Sequence, residues 1–286
     1  MTAQPTAPRR PSATSTPPGT GDDPLTTRAR LTWTAGDFHQ IARGFEAEAE
    51  AFIGRLALRR GERVLDVACG TGNLTLPAAR AGARVTGLDL APNLLATLRE
   101  RADAEGTRVA LDEGNAEALP YADGTFDTVV SMFGVMFAAR PERAMAELLR
   151  VTRPGGRIAL ANWTREGLIG EMLRLHVARV PAPPGVPSTL LWGDEATVRE
   201  RFGTAVSALG QTRRVLHFDY PHTPAGVAEL FRECYGPTVR TFAAIDPDAR
   251  AAFAADLAAL WARGNTAGDR ATRVAAEYLE VIAVRA

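Results

Sequence analysis

Phe38, Ile41, Ala42, Phe45 and Phe52 recur at helical spacing and predict one or two helices within residues 37–58. From there to Trp163, short apolar runs alternate with amphipathic stretches. The runs predict strands near 63–68, 84–88, 108–112, 126–132 and 157–162, and the stretches predict helices near 73–81, 91–104 and 141–152. Such β/α alternation predicts a doubly wound, parallel α/β sheet with its ligand at the strands' carboxyl ends. Beyond Trp163 the pattern loosens. A helix is expected over 167–179, a stiff proline-rich loop over 181–187 and a short helix near 194–202. A strand over 214–220, helices within 225–264 and a final strand over 277–284 complete the reading.

Residues 1–30 are rich in Pro, Thr, Ser, Ala and Gly with few large apolar side chains, and predict a disordered tail. The remaining 31–286 read as one domain: N-terminal helices over 31–60, a ligand-binding core over 61–163, and pocket insertions with the last strands over 164–286. Thirty-three basic and 33 acidic residues cancel, which argues against a nucleic-acid partner. Every basic residue is arginine. A chain without lysine excludes Schiff-base chemistry, pyridoxal phosphate anchoring and a Walker P-loop. Cys69 and Cys234 lie far apart and suggest a reducing, cytoplasmic setting. Arg9-Arg10 lacks the apolar segment an export signal needs, and no run is long enough to span a membrane. His39, His176, His217 and His222 form no metal-ligand pattern, so no metal is expected.

The densest chemistry lies in Val64-Leu65-Asp66-Val67-Ala68-Cys69-Gly70-Thr71-Gly72-Asn73. A short buried strand runs into a turn that Gly70 and Gly72 permit. Thr71 or Asn73 is placed to cap the following helix, whose first N–H groups then face a ligand. Asp89 ends the next strand. A carboxylate there suits a ribose diol, because it accepts hydrogen bonds from both hydroxyls. The pair describes a site for an adenosine-containing cofactor. A nicotinamide site prefers G-x-G-x-x-G/A, and Thr75 breaks that fingerprint.

The pattern Asp66-x-x-x-Gly70-x-Gly72 resembles motif I of the class I S-adenosylmethionine (SAM) dependent methyltransferases, with Ala68 where many relatives carry Gly. Gly114-Asn115-Ala116-Glu117-Ala118-Leu119-Pro120, Phe126-Asp127-Thr128-Val129-Val130-Ser131 and Arg153-Pro154-Gly155-Gly156-Arg157 follow in order. They resemble the later motifs of the branch that includes the ubiquinone/menaquinone C-methyltransferases. The resemblance is strong over about 35–163 and weak beyond. It implies a Rossmann-like, seven-stranded, mostly parallel sheet with the last strand antiparallel. Helical insertions over 164–210 and 222–270 would cover its carboxyl edge. It implies SAM as cofactor and methyl transfer to a small O, N or C acceptor.

On that reading, Gly70, Gly72 and Ala68 let the backbone approach the cofactor, and Asp66 reaches the methionyl amine. Asp89 takes the ribose hydroxyls and Leu90 packs on the adenine. Asn115 and Ala116 meet the adenine edge, while Ser131 and Phe133 line the methionine side. Asp127 is expected to be structural. His39, Glu233 and Tyr235 are the candidate general bases. Trp163 and Trp192, with Phe133 and Tyr235, suggest an apolar or aromatic acceptor such as a secondary metabolite or quinone precursor. The same cofactor motifs would also serve a protein that binds SAM or S-adenosylhomocysteine (SAH) without transferring methyl, as a cyclase or regulator. A nicotinamide-dependent reductase is the weaker alternative. Monomer and homodimer both stay open.

Overall fold

The computed structural model describes residues 23–286. Its elements in chain order are α1 (Pro24–Trp33), α2 (Phe38–Ala42), α3 (Glu46–Leu56), β1 (Arg63–Val67), α4 (Thr75–Arg80), β2 (Arg84–Asp89), α5 (Pro92–Ala104), β3 (Ala110–Glu113), β4 (Phe126–Met132), α6 (Pro141–Val151) and β5 (Thr152–Trp163). Then follow α7 (Leu168–Arg179), α8 (Glu195–Phe202), β6 (Val206–Tyr220), α9 (Pro224–Cys234), α10 (Gly236–Ala244), α11 (Pro247–Arg263) and β7 (Thr272–Arg285).

Seven strands form one sheet in the order β3-β2-β1-β4-β5-β7-β6. The first five are parallel, and β7 runs antiparallel to both β5 and β6. This is the sheet the resemblance implies. Val64–Val67 are buried on both faces, which is why β1 shows no regular alternation and is apolar except for the buried Asp66. The strand order reverses between β1 and β4, so the crevice for a ligand opens at the carboxyl end of β1.

Three expectations need correction. Pro24–Trp33 is helical, although disorder was expected through residue 30; residues 1–22 lie outside the described residues. None of this helix's residues is buried. It is tied down by polar contacts instead: Arg30 donates to the Leu90 carbonyl at 2.9 Å and pairs with Glu113, and Asp23 pairs with Arg140 at 2.7 Å. Composition alone does not reveal a helix that rests on side-chain pairing. Second, β6 begins at Val206, not Arg214, so the end of the insertion expected over 164–210 is strand. It is an edge strand paired only to β7, and Ser207, Gly210, Gln211 and Arg213 leave its first half without a clear alternation. Third, α4 starts at Thr75, and neither Thr71 nor Asn73 caps it. The Asn73 amide donates to the Ala42 carbonyl at 2.8 Å and accepts from Arg101 at 3.1 Å, tying the glycine turn to α2 and α5.

Candidate functional site

The first cavity opens where β1 ends. Asp66 is buried there and accepts the Thr75 hydroxyl at 2.6 Å. The chain then turns through Ala68 (φ 54°), Gly70 (φ 54°) and Gly72 (φ 93°). The Cys69 N–H donates to the Leu88 carbonyl at 3.0 Å. Asp89 closes the turn: its Oδ2 accepts the Gly70 N–H at 2.7 Å and its Oδ1 the Ala91 N–H at 2.9 Å. The Leu90 N–H also pulls on this carboxylate, which keeps part of its acceptor capacity and lines the cavity. Burial and the Asp89 charge push the Asp66 carboxyl up to about 7, although the Thr75 hydroxyl opposes this. Burial also raises Asp89, against the pull of its backbone donors.

Asp66, Ala68, Gly70, Asp89, Leu90, Asn115, Ala116 and Phe133 all line this cavity. Two expected residues do not. A Cβ on Gly72 would lie 2.1 Å from the Leu98 Cδ1, so Gly72 serves the close approach of α5. Ser131 is fully buried; its hydroxyl donates to the Val67 carbonyl at 2.6 Å and accepts the Val135 N–H at 3.0 Å. It ties β1 to the turn after β4, and Met132, Phe133, Gly134 and Val135 form the wall instead. Asp127 is structural as expected, holding Arg63 and Arg153 at the other end of β4. Over the Leu90–Asn115 side, α1 forms a roof with Leu25, Thr26, Ala29 and Trp33. The Asn115 Oδ1 accepts the Glu117 N–H at 2.9 Å, and its Nδ2 donates to the Thr26 hydroxyl at 3.0 Å.

A second, smaller cavity of about 20 Å³ adjoins the first, whose volume is about 100 Å³. The two share Trp33, Phe38, Phe45, Phe133 and Phe137, and the second is completed by Ile41, Trp163, Ile169, Met172, Phe218, Phe231 and Tyr235. No charged side chain lines it. Phe133 stacks on Trp163 with centroids 3.6 Å apart and planes at 9°. It does so from a left-handed backbone, φ 56°, which L side chains rarely adopt.

Of the candidate bases, Tyr235 alone reaches this cavity. Burial holds its phenol far above the usual range, so it stays neutral. Glu233 is exposed. His39 is half-buried with its Nδ1 3.4 Å from the Thr71 hydroxyl, and it lines neither cavity. Burial, then Arg101, lowers its pKa. Neither residue fits the role of base. Trp192 also lies elsewhere, fully buried with Arg201 over its ring at 4.8 Å. Burial raises the Cys69 thiol strongly, so it is no nucleophile. Among the described residues no group of His, Cys, Asp or Glu could hold a metal, and no helix is long and apolar enough to cross a membrane.

Sequence reasoning missed most of the aromatic wall. Phe38 and Phe45 were legible only as an apolar helix face, and nothing about a single phenylalanine distinguishes a core from a cavity lining. Trp33, Phe137, Phe218 and Phe231 are brought together from four separate elements.

Residues 65–160 match the methyltransferase domain family. An uncharacterised protein of Mycobacterium bovis is 40% identical over 232 residues, covering 80% of this chain and 84% of its own length. A demethylmenaquinone methyltransferase of Thermus thermophilus is 42% identical over 130 residues, 44% of this chain and 59% of that protein. The structure of Haemonchus contortus phosphoethanolamine N-methyltransferase 2 in complex with SAM superposes with a TM-score of 0.55 at 20% identity. It covers 84% of this chain and 52% of the other, a likeness of fold.

Proposed function

Because this chain belongs to the class I SAM-dependent methyltransferases and takes SAM as its cofactor, we propose that it methylates a small, predominantly apolar or aromatic acceptor. The observation that carries the proposal is the second cavity, a chamber without charge that meets the cofactor cavity across five shared aromatic rings. An acceptor bound there gains from apolar burial and offers its nucleophile at the boundary.

The first cavity has the chemistry SAM requires. Asp89 retains acceptor capacity for ribose hydroxyls, Leu90 and Ala116 offer apolar faces for the adenine, and Asp66 offers a carboxylate to the methionyl amine. SAM supplies a methyl group already activated on a sulfonium. The protein's own contribution is alignment and exclusion of water. The neutral Tyr235 hydroxyl can hydrogen-bond a polar atom of the acceptor. With no titratable group of suitable pKa against the chamber, the reading favours an acceptor that carries its own acidity or nucleophilicity, such as a phenol, an amine or an activated ring carbon.

The test is SAH formation from SAM with a panel of phenols, hydroquinones and aromatic amines, against DNA and peptide controls. Turnover with aromatic small molecules supports the reading. SAM and SAH binding without methyl transfer to any acceptor would favour a non-methylating role. Turnover with a macromolecule alone would overturn the choice of acceptor.

A further inference from the structure

The acceptor chamber has a volume of only about 20 Å³, room for about one water molecule. A substrate therefore displaces a side chain already present. Trp33 is the wall residue best placed to leave. Phe133 is held by the Trp163 stack, whereas Phe218 and Phe231 are almost fully buried. Trp33, Phe38 and Phe137 are all half-buried, but Trp33 alone comes from an element, α1, that buries no residue of its own.

Its indole stands at the boundary of the two cavities, in a box of three rings. Phe137 lies 4.9 Å away at 70°, Phe38 5.6 Å at 86°, and Tyr235 6.0 Å at 73°. All three contacts are edge-to-face, so the box encloses a flat slot the size of a fused bicyclic ring. The backbone beneath it is fixed. A Cβ on Gly236 would lie 2.1 Å from the Thr32 carbonyl oxygen, and one on Gly36 would lie 2.5 Å from the Cys234 carbonyl oxygen. The turn after α1 is thus pressed onto the α9–α10 junction, and the indole leaves by side-chain rotation.

We infer that Trp33 occupies the acceptor's seat in the closed molecule, and that the acceptor is a planar fused aromatic that takes the indole's place among Phe38, Phe137 and Tyr235. The inference rests on the methyl-transfer reading above. It adds a shape and size for the acceptor and an aromatic side chain that competes with it.

The probe is 2-naphthol, titrated into the SAH complex of the full chain. In Trp33→Ala the seat is vacant, so 2-naphthol is expected to bind about tenfold or more tighter than in the wild type, since no indole need be displaced. The KM for 2-naphthol as methyl acceptor should fall in parallel. Equal or weaker binding in Trp33→Ala would overturn the inference, because an indole that is merely wall loses contacts when truncated. A second measurement uses the unmutated sequence labelled with 5-fluorotryptophan. The Trp33 resonance, assigned with Trp33→Phe, should shift toward its solvent-exposed position as 2-naphthol saturates. An unmoved resonance at saturation, or no 2-naphthol binding to either form, would also overturn it. SAH titration of the wild type separates the two readings: loss of SAH binding strikes the methyl-transfer reading itself, while retained SAH binding with either failure above strikes only the role of Trp33.

Discussion

The Gly70 N–H donates to the Asp89 Oδ2 at 2.7 Å, so the carboxylate proposed for the ribose also holds the glycine turn in shape. Removing it does two things at once. Asp89→Ala should weaken SAM binding by about 1–3 kcal/mol, roughly five- to 150-fold in Kd, and should loosen the turn. Isothermal titration measures the first effect. An unchanged Kd would remove Asp89 from the ribose site.

Ala68 and Gly134 form a second coupled pair. Ala68 sits at φ 54° and faces the bare Gly134 backbone, where an added Cβ would lie 2.6 Å from the Ala68 carbonyl oxygen. Ala68→Gly relieves the left-handed strain and should stabilise the fold by about 0.5–1 kcal/mol after the entropy of the unfolded glycine is deducted. Gly134→Ala should destabilise by about 1–3 kcal/mol through overpacking. Denaturant melts of the two variants should move in opposite directions.

Asp66 makes stability and binding respond oppositely to pH. Its folded value of about 7 lies above the unfolded value near 3.9, so its contribution to stability is complete below about pH 4 and is lost as pH rises through 7. Asp66→Asn should flatten the decline in melting temperature between pH 4 and 7. If the ionised carboxylate meets the methionyl amine, wild-type SAM affinity should rise from pH 6 to 8, and Asp66→Asn should abolish that rise. A pH-independent wild-type Kd would count against the amine contact.

Burial lowers His176 to about 4, with its Nδ1 donating to the Met172 carbonyl at 2.7 Å and its Nε2 2.8 Å from the Thr238 hydroxyl. For this depressed base the sign reverses: its contribution is present above pH 6.5 and lost as pH falls through 4. The wild type should lose thermal stability over that window, and His176→Gln should lose less. An equal loss in both would assign acid lability to other groups.

Neither Glu233 nor Tyr235 is suited to accept a proton, since one is exposed and the other is held neutral. Glu233→Gln should leave kcat unchanged, and Tyr235→Phe should raise the acceptor KM more than it lowers kcat. A fall in kcat of roughly 100-fold or more in either variant would identify a base after all.

What the sequence determined by itself is the part of the protein written in contiguous segments. The β/α alternation from Arg63 to Trp163, the Asp66–Gly70 turn and the Asp89 tip are each local. Strand burial and glycine turns depend on near neighbours, so their pattern survives in one dimension. The tertiary structure decided everything that depends on elements meeting. Ser131 and Gly72 carry motif positions, yet packing against Val67 and Leu98 assigns them to structure. The roof α1 is held by Asp23, Thr26 and Arg30 reaching partners distant in sequence. The aromatic chamber draws rings from the N-terminal helices, the turn after β4, β5, β6 and α9. An aromatic side chain has the same hydrophobicity in a core as in a cavity wall, and only the space left between rings from different elements tells the two apart.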